Sequence, residues 1–200
     1  MNRWPLFFSL AALLSAAFAA AIAALGTDEA ALRTLVRATA QVSFALFLPV
    51  YAASPLRRLW PAPATRWLLR NRRYLGVSFA WAHGLHLLAI AMLVLLLGDA
   101  FESDPVVLVF GGFTYLLLAG MVLTSTDRTA RWLGPRRWNL LHRTGIHALW
   151  LLFTISWAGR AASPYYLALT LLAGAVAGLR LAALRTRRAA RSGAAAATAR

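Results

Sequence analysis

The sequence predicts an all-α integral membrane protein, a bundle of six helices with both the N and C termini in the cytoplasm. Three observations carry this. Hydrophobic residues make up 60% of the 200 positions, against about 45–50% in a soluble domain, and the mean hydropathy is +0.63. Long apolar runs recur six times along the chain. The arginines fall on alternate sides of those runs, as crossings of a membrane require.

Each run is long enough, or nearly so, to cross a bilayer, which takes about 20 apolar residues. The first is Pro5–Leu25, preceded by Arg3; its apolar part is longer than a secretory signal's usual stretch of about 7–15 residues, so a retained helix is expected. The second, less apolar, is Leu35–Ala53. The third is Tyr74–Leu97, which lacks Asp, Glu, Lys and Arg throughout. Val106–Leu123, Leu140–Ala158 and Pro164–Leu184 complete the set, the last opening with Ser163-Pro164, a cap followed by proline in the first turn. Residues 1–184 thus form the bundle. Residues 185–200, basic and Ala-rich, are expected to be a disordered tail or a frayed helix end.

Charge orients the runs. The connection 54–73 carries Arg57, Arg58, Arg66, Arg70, Arg72 and Arg73, and the connection 124–139 carries Arg128, Arg131, Arg136 and Arg137. The tail adds Arg185, Arg187, Arg188, Arg191 and Arg200. The opposite connections hold Asp28, Glu29, Asp99, Glu102 and Asp104 with only Arg33, Arg37 and Arg160. The positive-inside rule puts the basic side in the cytoplasm, and a bacterial inner membrane is the expected location. Net charge is +15, and every one of the 21 basic residues is Arg. These arginines flank apolar runs, so they read as anchors to anionic headgroups, with no nucleic acid as partner.

Cysteine is absent, which excludes disulfides, iron–sulfur clusters and covalent c-type haem attachment. No Gly-rich phosphate loop occurs. A nicotinamide or flavin domain is therefore not expected in this chain, and any flavin or quinone would come through a partner.

The four histidines are His83, His86, His142 and His147. All lie in the third and fifth runs, none in a connection. An ionisable group inside a membrane needs a partner. Both runs begin at a basic pair, Arg72-Arg73 and Arg136-Arg137, so the two helices run parallel and could present imidazoles to one interior. Paired neutral imidazoles in a dry apolar site suit haem iron. The carboxylates that Mg, Ca or di-iron sites use are missing from these helices. The competing reading is that each histidine bonds a neighbouring backbone or hydroxyl and helps helices associate. Counted from the basic anchors, His83 and His147 lie at similar heights, roughly 15–16 Å in at about 1.5 Å per residue. His142 and His147 are five positions apart, about 140° around the helix, and do not face one iron together. Arg143, beside His142, could pair with a haem carboxylate or reach the headgroups. Met92 and Met121 are fillers and remote candidates for axial ligation.

The segments "RRYLGVSFAWAHGLH", Arg72 to His86, and "RRWNLLHRTGIHALW", Arg136 to Trp150, with "TSTD" at Thr124 to Asp127, resemble the ferric reductase-like transmembrane family. That family includes the haem-binding membrane subunit of bacterial methionine sulfoxide reductase systems and, more distantly, the NADPH oxidases. The resemblance covers about residues 35–160. It implies b-type haem held by histidines of these two helices, one haem or two, with electrons crossing from a cytoplasmic donor to an outer acceptor. It matches His86 to the outer-side ligand of the third helix and His142 to the inner-side ligand of the fifth. The chain departs from the pattern at Ile155, where the family places a second histidine in the fifth helix. His83 and His147 are the further candidates.

The resulting expectation is a membrane haem protein, an oxidoreductase subunit of ferric reductase-like type. Its donor would be separate, a flavin reductase or a quinol, and its acceptor would lie on the outer side. The alternatives are a non-redox membrane scaffold or transporter-like bundle, and a family member that has lost haem.

Overall fold

The computed structural model describes residues 4–198; Arg3 and Arg200, which the charge argument uses, lie outside them. Seven α-helices and one 3-10 turn account for nearly all of this, and no strand occurs among the described residues. They are α1 (Trp4–Leu25), α2 (Glu29–Leu59), α3 (Pro63–Leu97), α4 (Pro105–Leu123), α5 (Asp127–Leu133), α6 (Pro135–Ala158) and α7 (Pro164–Thr198). All six apolar runs fall inside helices. The basic connection 54–73, which the sequence reads as a loop, is mostly helix: α2 and α3 extend through it and leave only Trp60–Ala62 between them. Thr65 closes that turn, its hydroxyl accepting from the Ala62 N–H at 3.1 Å and donating to the Trp60 carbonyl at 2.8 Å. The basic connection 124–139 folds a short helix, α5.

Helix starts follow local chemistry. Asp28 caps α2 by accepting from the Ala31 N–H at 2.8 Å, and Asp104 caps α4 from the Val106 N–H at 2.8 Å. Prolines open α3, α4, α6 and α7, where a missing N–H costs nothing. Gly134 takes φ +79° between α5 and α6, a backbone state that side chains rarely adopt.

Five helices (α1, α2, α3, α4 and α7) are long and apolar enough to cross a membrane. The sixth of the expected crossings, α6, spans 24 residues, about 36 Å at 1.5 Å per residue. It falls short in apolar character because it carries His142, Arg143, Thr144 and His147. Leu95, Val109 and Leu116 are 84, 69 and 74% exposed within the apolar helices α3 and α4, a surface suited to lipid rather than water. The chain is an integral membrane protein.

Helix α2 packs most extensively on α3, α1 on α3, α4 on α6, and both α2 and α6 on α7. An aromatic core joins α2, α3 and α6: Phe44, Phe47, Phe79, Phe153 and Trp157 meet with ring centroids 5.2–6.4 Å apart. A smaller cluster of Phe18, Leu32, Leu35, Ala89 and Leu93 holds the opposite end.

Pro55 explains one tertiary contact. It has no N–H to offer the Tyr51 carbonyl four residues back. Arg180 of α7 donates to that carbonyl at 2.8 Å and lays its guanidinium over the Tyr51 ring, 4.3 Å from the centroid. The break in α2's ladder is thereby satisfied by a cation from the last helix.

Arg73 and Asp127 form an ion pair at 2.6 Å that ties α3 to α5. The hydrogen bond and charge of Arg73 hold the Asp127 carboxyl below its ordinary range. A lowered carboxylate pKa stabilises fully above the unfolded value, about 3.9, and the gain is lost as the pH falls through the lowered one. Asp127→Asn should therefore speed amide exchange in α5 at neutral pH. The difference from the parent should vanish in strong acid.

Candidate functional site

Helices α3 and α6 face each other across a cavity and meet through an aromatic cluster. Arg72 and Arg73 of α3 share a cavity with His142 of α6, and His83 of α3 stands 5.6 Å from Phe153 of α6 by ring centroids. Both steps are 11 residues, so the helices run side by side in the same direction. Three of the four histidines accordingly fall at two levels, with His147 between them along α6. His83 and His86 belong to the level of Phe153, His142 to the level of Arg72. The height-matched pairing of His83 with His147 is not one the structure brings together: six residues of α6 separate His147 from Phe153.

The α3 pair sits with ring centroids 5.3 Å apart. His83 is 3% exposed and packed by Phe79, Tyr115 and Phe153. Neither of its ring nitrogens has a partner, which is costly for a buried polar group. His86 is half-buried, and its Nδ1 lies 3.0 Å from the Thr39 hydroxyl of α2. Thr39 already points its hydroxyl hydrogen at helix carbonyls, Leu35 at 2.8 Å and Val36 at 3.1 Å. It must therefore accept from His86 Nδ1–H, which leaves the Nε2 lone pair of His86 free. A ligating histidine fixed in its tautomer by a second bond has this arrangement.

On α6, His142 stacks on Trp138 at 4.0 Å, and its Nε2 meets the Thr124 hydroxyl at 3.1 Å. Thr124 donates to the Gly120 carbonyl at 2.7 Å, so Nε2 of His142 carries the proton here. His147 turns to the other side. Its Nδ1 meets the Tyr51 hydroxyl at 3.2 Å, and the residue is exposed along the bundle. Gly145, between them, leaves room for α4: a Cβ there would collide with the Met121 sulfur.

The cavity itself measures about 600 Å³, within the range of about 300–1,000 Å³ typical of ligand sites. Its floor is apolar: Phe47 and Val50 of α2, Phe79 of α3, Leu118 and Met121 of α4, and Ile146 and Leu149 of α6. Its rim is basic and polar, with Arg72, Arg73, Arg143, Arg180, His142 and Asn139. Arg73 has Asp127; Arg72 donates to the Ser54 hydroxyl at 3.2 Å, and Arg180 to a carbonyl. Among the described residues no carboxylate pairs with Arg72, Arg143 or Arg180.

Of the expected site residues, only His142 and Arg143 line the cavity. No cluster of three or more His, Asp or Glu suited to a metal ion occurs among the described residues. The partners Thr39, Tyr51, Thr124 and Arg180 were missed in the sequence. One signal was present for Arg180, a lone arginine inside the last apolar run.

A cofactor with an apolar body, acidic appendages and a histidine-bound metal fits this donor set. The floor would take the body, the arginines without carboxylate partners the acidic groups, and His142 the metal. His83, buried with two orphaned nitrogens, marks a second place where a partner is due.

Comparison with known proteins points the same way. No family model matches the chain, and no solved structure matches it. The chain is 37% identical over 127 residues to the protein-methionine-sulfoxide reductase heme-binding subunit MsrQ of Cronobacter sakazakii, covering 56% of this chain and 60% of that protein. It is 38% identical over 127 residues to the MsrQ of an Enterobacter species, covering 56% and 61%. To the MsrQ of Azospira oryzae it is 39% identical over 120 residues, covering 53% and 49%. The chain thus spans about half to three fifths of the length of the curated relatives it matches. These relatives bear out the resemblance to the haem-binding membrane subunit of methionine sulfoxide reductase systems.

Proposed function

We propose that this chain is a haem-carrying electron-transfer subunit of the bacterial inner membrane. It would pass electrons from a separate donor, a cytoplasmic flavin reductase or a membrane quinol, to an acceptor on the outer side. On this reading α6 is the sixth crossing, both termini are cytoplasmic, residues 1–184 are the working bundle, and residues 185–200 are a basic tail. The carrying observation is the cavity, where one imidazole and three arginines without carboxylate partners surround an apolar floor. The relatives' printed name, a heme-binding subunit, supports it.

The haem would be b-type, since no cysteine is available to attach it, and it would supply one-electron chemistry. Everything else falls to the protein. His142 would hold the iron through Nε2, its proton shifting to Nδ1 and its bond to Thr124 given up, a loss of about 1 kcal/mol. Arg72, Arg143 and Arg180 would fix the carboxylates, for which the planar guanidinium is suited. Phe47, Phe79 and Leu149 would exclude water and keep the local dielectric low, which sets the potential.

A second reading has its own observation. His86, His142 and His147 each hydrogen-bond a hydroxyl on another helix, as helix-packing histidines do. The optical spectrum of the detergent-purified protein separates the two. A haem subunit gives a b-type spectrum that dithionite reduces, near one haem per chain by the pyridine assay. A scaffold is colourless even after expression with added haem.

A further inference from the structure

We infer, on the basis of the haem reading above, that the iron in this chain has one protein imidazole and an open sixth position. The protein would then bind a small diatomic ligand such as carbon monoxide. A closed, six-coordinate electron carrier needs two imidazoles facing each other across the porphyrin. The register of α3 on α6 denies this at both levels. The residues that α2 and α3 bring to the cavity are Phe47, Val50, Arg72, Arg73, Gly76, Val77 and Phe79, none of them an imidazole or a thioether. Across from the α3 histidines, α6 offers Phe153, while Ile155 turns outward and is 42% exposed. His83 and His86 share one helix three residues apart, too close for a porphyrin to pass between them. His83 is also screened from the cavity by Phe79, whose ring lies against it at 5.5 Å.

Met121 is the remaining side chain on the cavity with a donor atom of suitable softness. Its sulfur packs on Gly145, one turn beyond His142, at the same α4–α6 seam. It therefore approaches from His142's own side and leaves the opposite face of the ring free.

The test uses the whole purified chain with its haem. Electron paramagnetic resonance should show a predominantly high-spin ferric iron. The dithionite-reduced protein should take up carbon monoxide at about one per haem, with a shifted Soret band. Gly76→His places an imidazole on the facing wall, where an added Cβ meets only Val50 at 3.8 Å. It should turn the iron low-spin and abolish carbon monoxide uptake. A low-spin parent that ignores carbon monoxide overturns the inference. So does a low-spin state that Met121→Leu converts to high spin, which would make the thioether the sixth ligand. A Gly76→His protein identical to the parent would remove the iron from this cavity. A colourless protein would instead overturn the haem reading itself, and the inference with it.

Discussion

His142→Ala is expected to strip the protein of haem, to below about one tenth of the parent's haem per chain, while His86→Ala keeps most of it. Losing even an outer-shell partner of a metal ligand typically costs about 10–100-fold in affinity, and here the ligand itself goes. The contrast between the variants is the informative part. His142 lines a cavity with room for a porphyrin and with arginines that lack carboxylates; His86 has a free Nε2 but belongs to the closely packed outer level. The measurement is haem per chain by the pyridine assay, with size-exclusion profiles to show that each variant is folded. Equal loss in both would place the haem between the levels. Loss in His86→Ala alone would move it to the outer end.

The second large effect concerns stability. Phe153 is 5% exposed and its ring meets those of Phe44, Phe47, Phe79, His83 and Trp157. It is the point where α2, α3 and α6 converge. Truncating a buried Phe to Ala usually costs about 3–5 kcal/mol in a water-soluble core. In lipid the water-transfer part is missing, and association rests on packing. Phe153→Ala should therefore cost about 2–3 kcal/mol, from lost contacts and the cavity alone. Unfolding followed in mixed micelles measures it. Phe153→Leu should recover about half, because it restores most of the volume but not the ring contacts.

The helices were largely legible because apolar runs and capping residues act locally. The Ser163-Pro164 start is one that the structure keeps, with α7 opening at Pro164. What the sequence misread was the basic connection 54–73. Arginine anchors were taken to mean a loop, yet "LRRL" and "RWLLRNRR" contain good helix formers, and the helices continue through them. The site was legible in kind but not in arrangement. The segregation of histidines onto two helices pointed to α3 and α6. Their relative register did not follow from the anchors, because Arg72 lies nine residues inside α3 while Arg136 lies in the first turn of α6. Counting from the two pairs as if they were level shifted His83 onto His147. The hydroxyl partners Thr39, Tyr51 and Thr124 are long-range contacts, spaced by 47, 96 and 18 residues from their histidines. No local pattern announces them.

The position of the cavity along α6 has an electrical consequence. His142 lies seven residues into a 24-residue helix, so on the proposed orientation an iron there sits about 10 Å from the inner boundary at 1.5 Å per residue. About two thirds of a hydrocarbon layer of about 30 Å then lies between it and the outer side. Moving one charge through the full layer is worth about 2.3 kcal/mol per 100 mV, so the outward leg would feel about 1.5. With the cytoplasm negative, that field drives an electron outward. Loading the iron from the cytoplasmic side would gain the remaining third, about 0.8 kcal/mol per 100 mV, so both legs would be faster in an energised cell than in a depolarised one, the outward leg the more so.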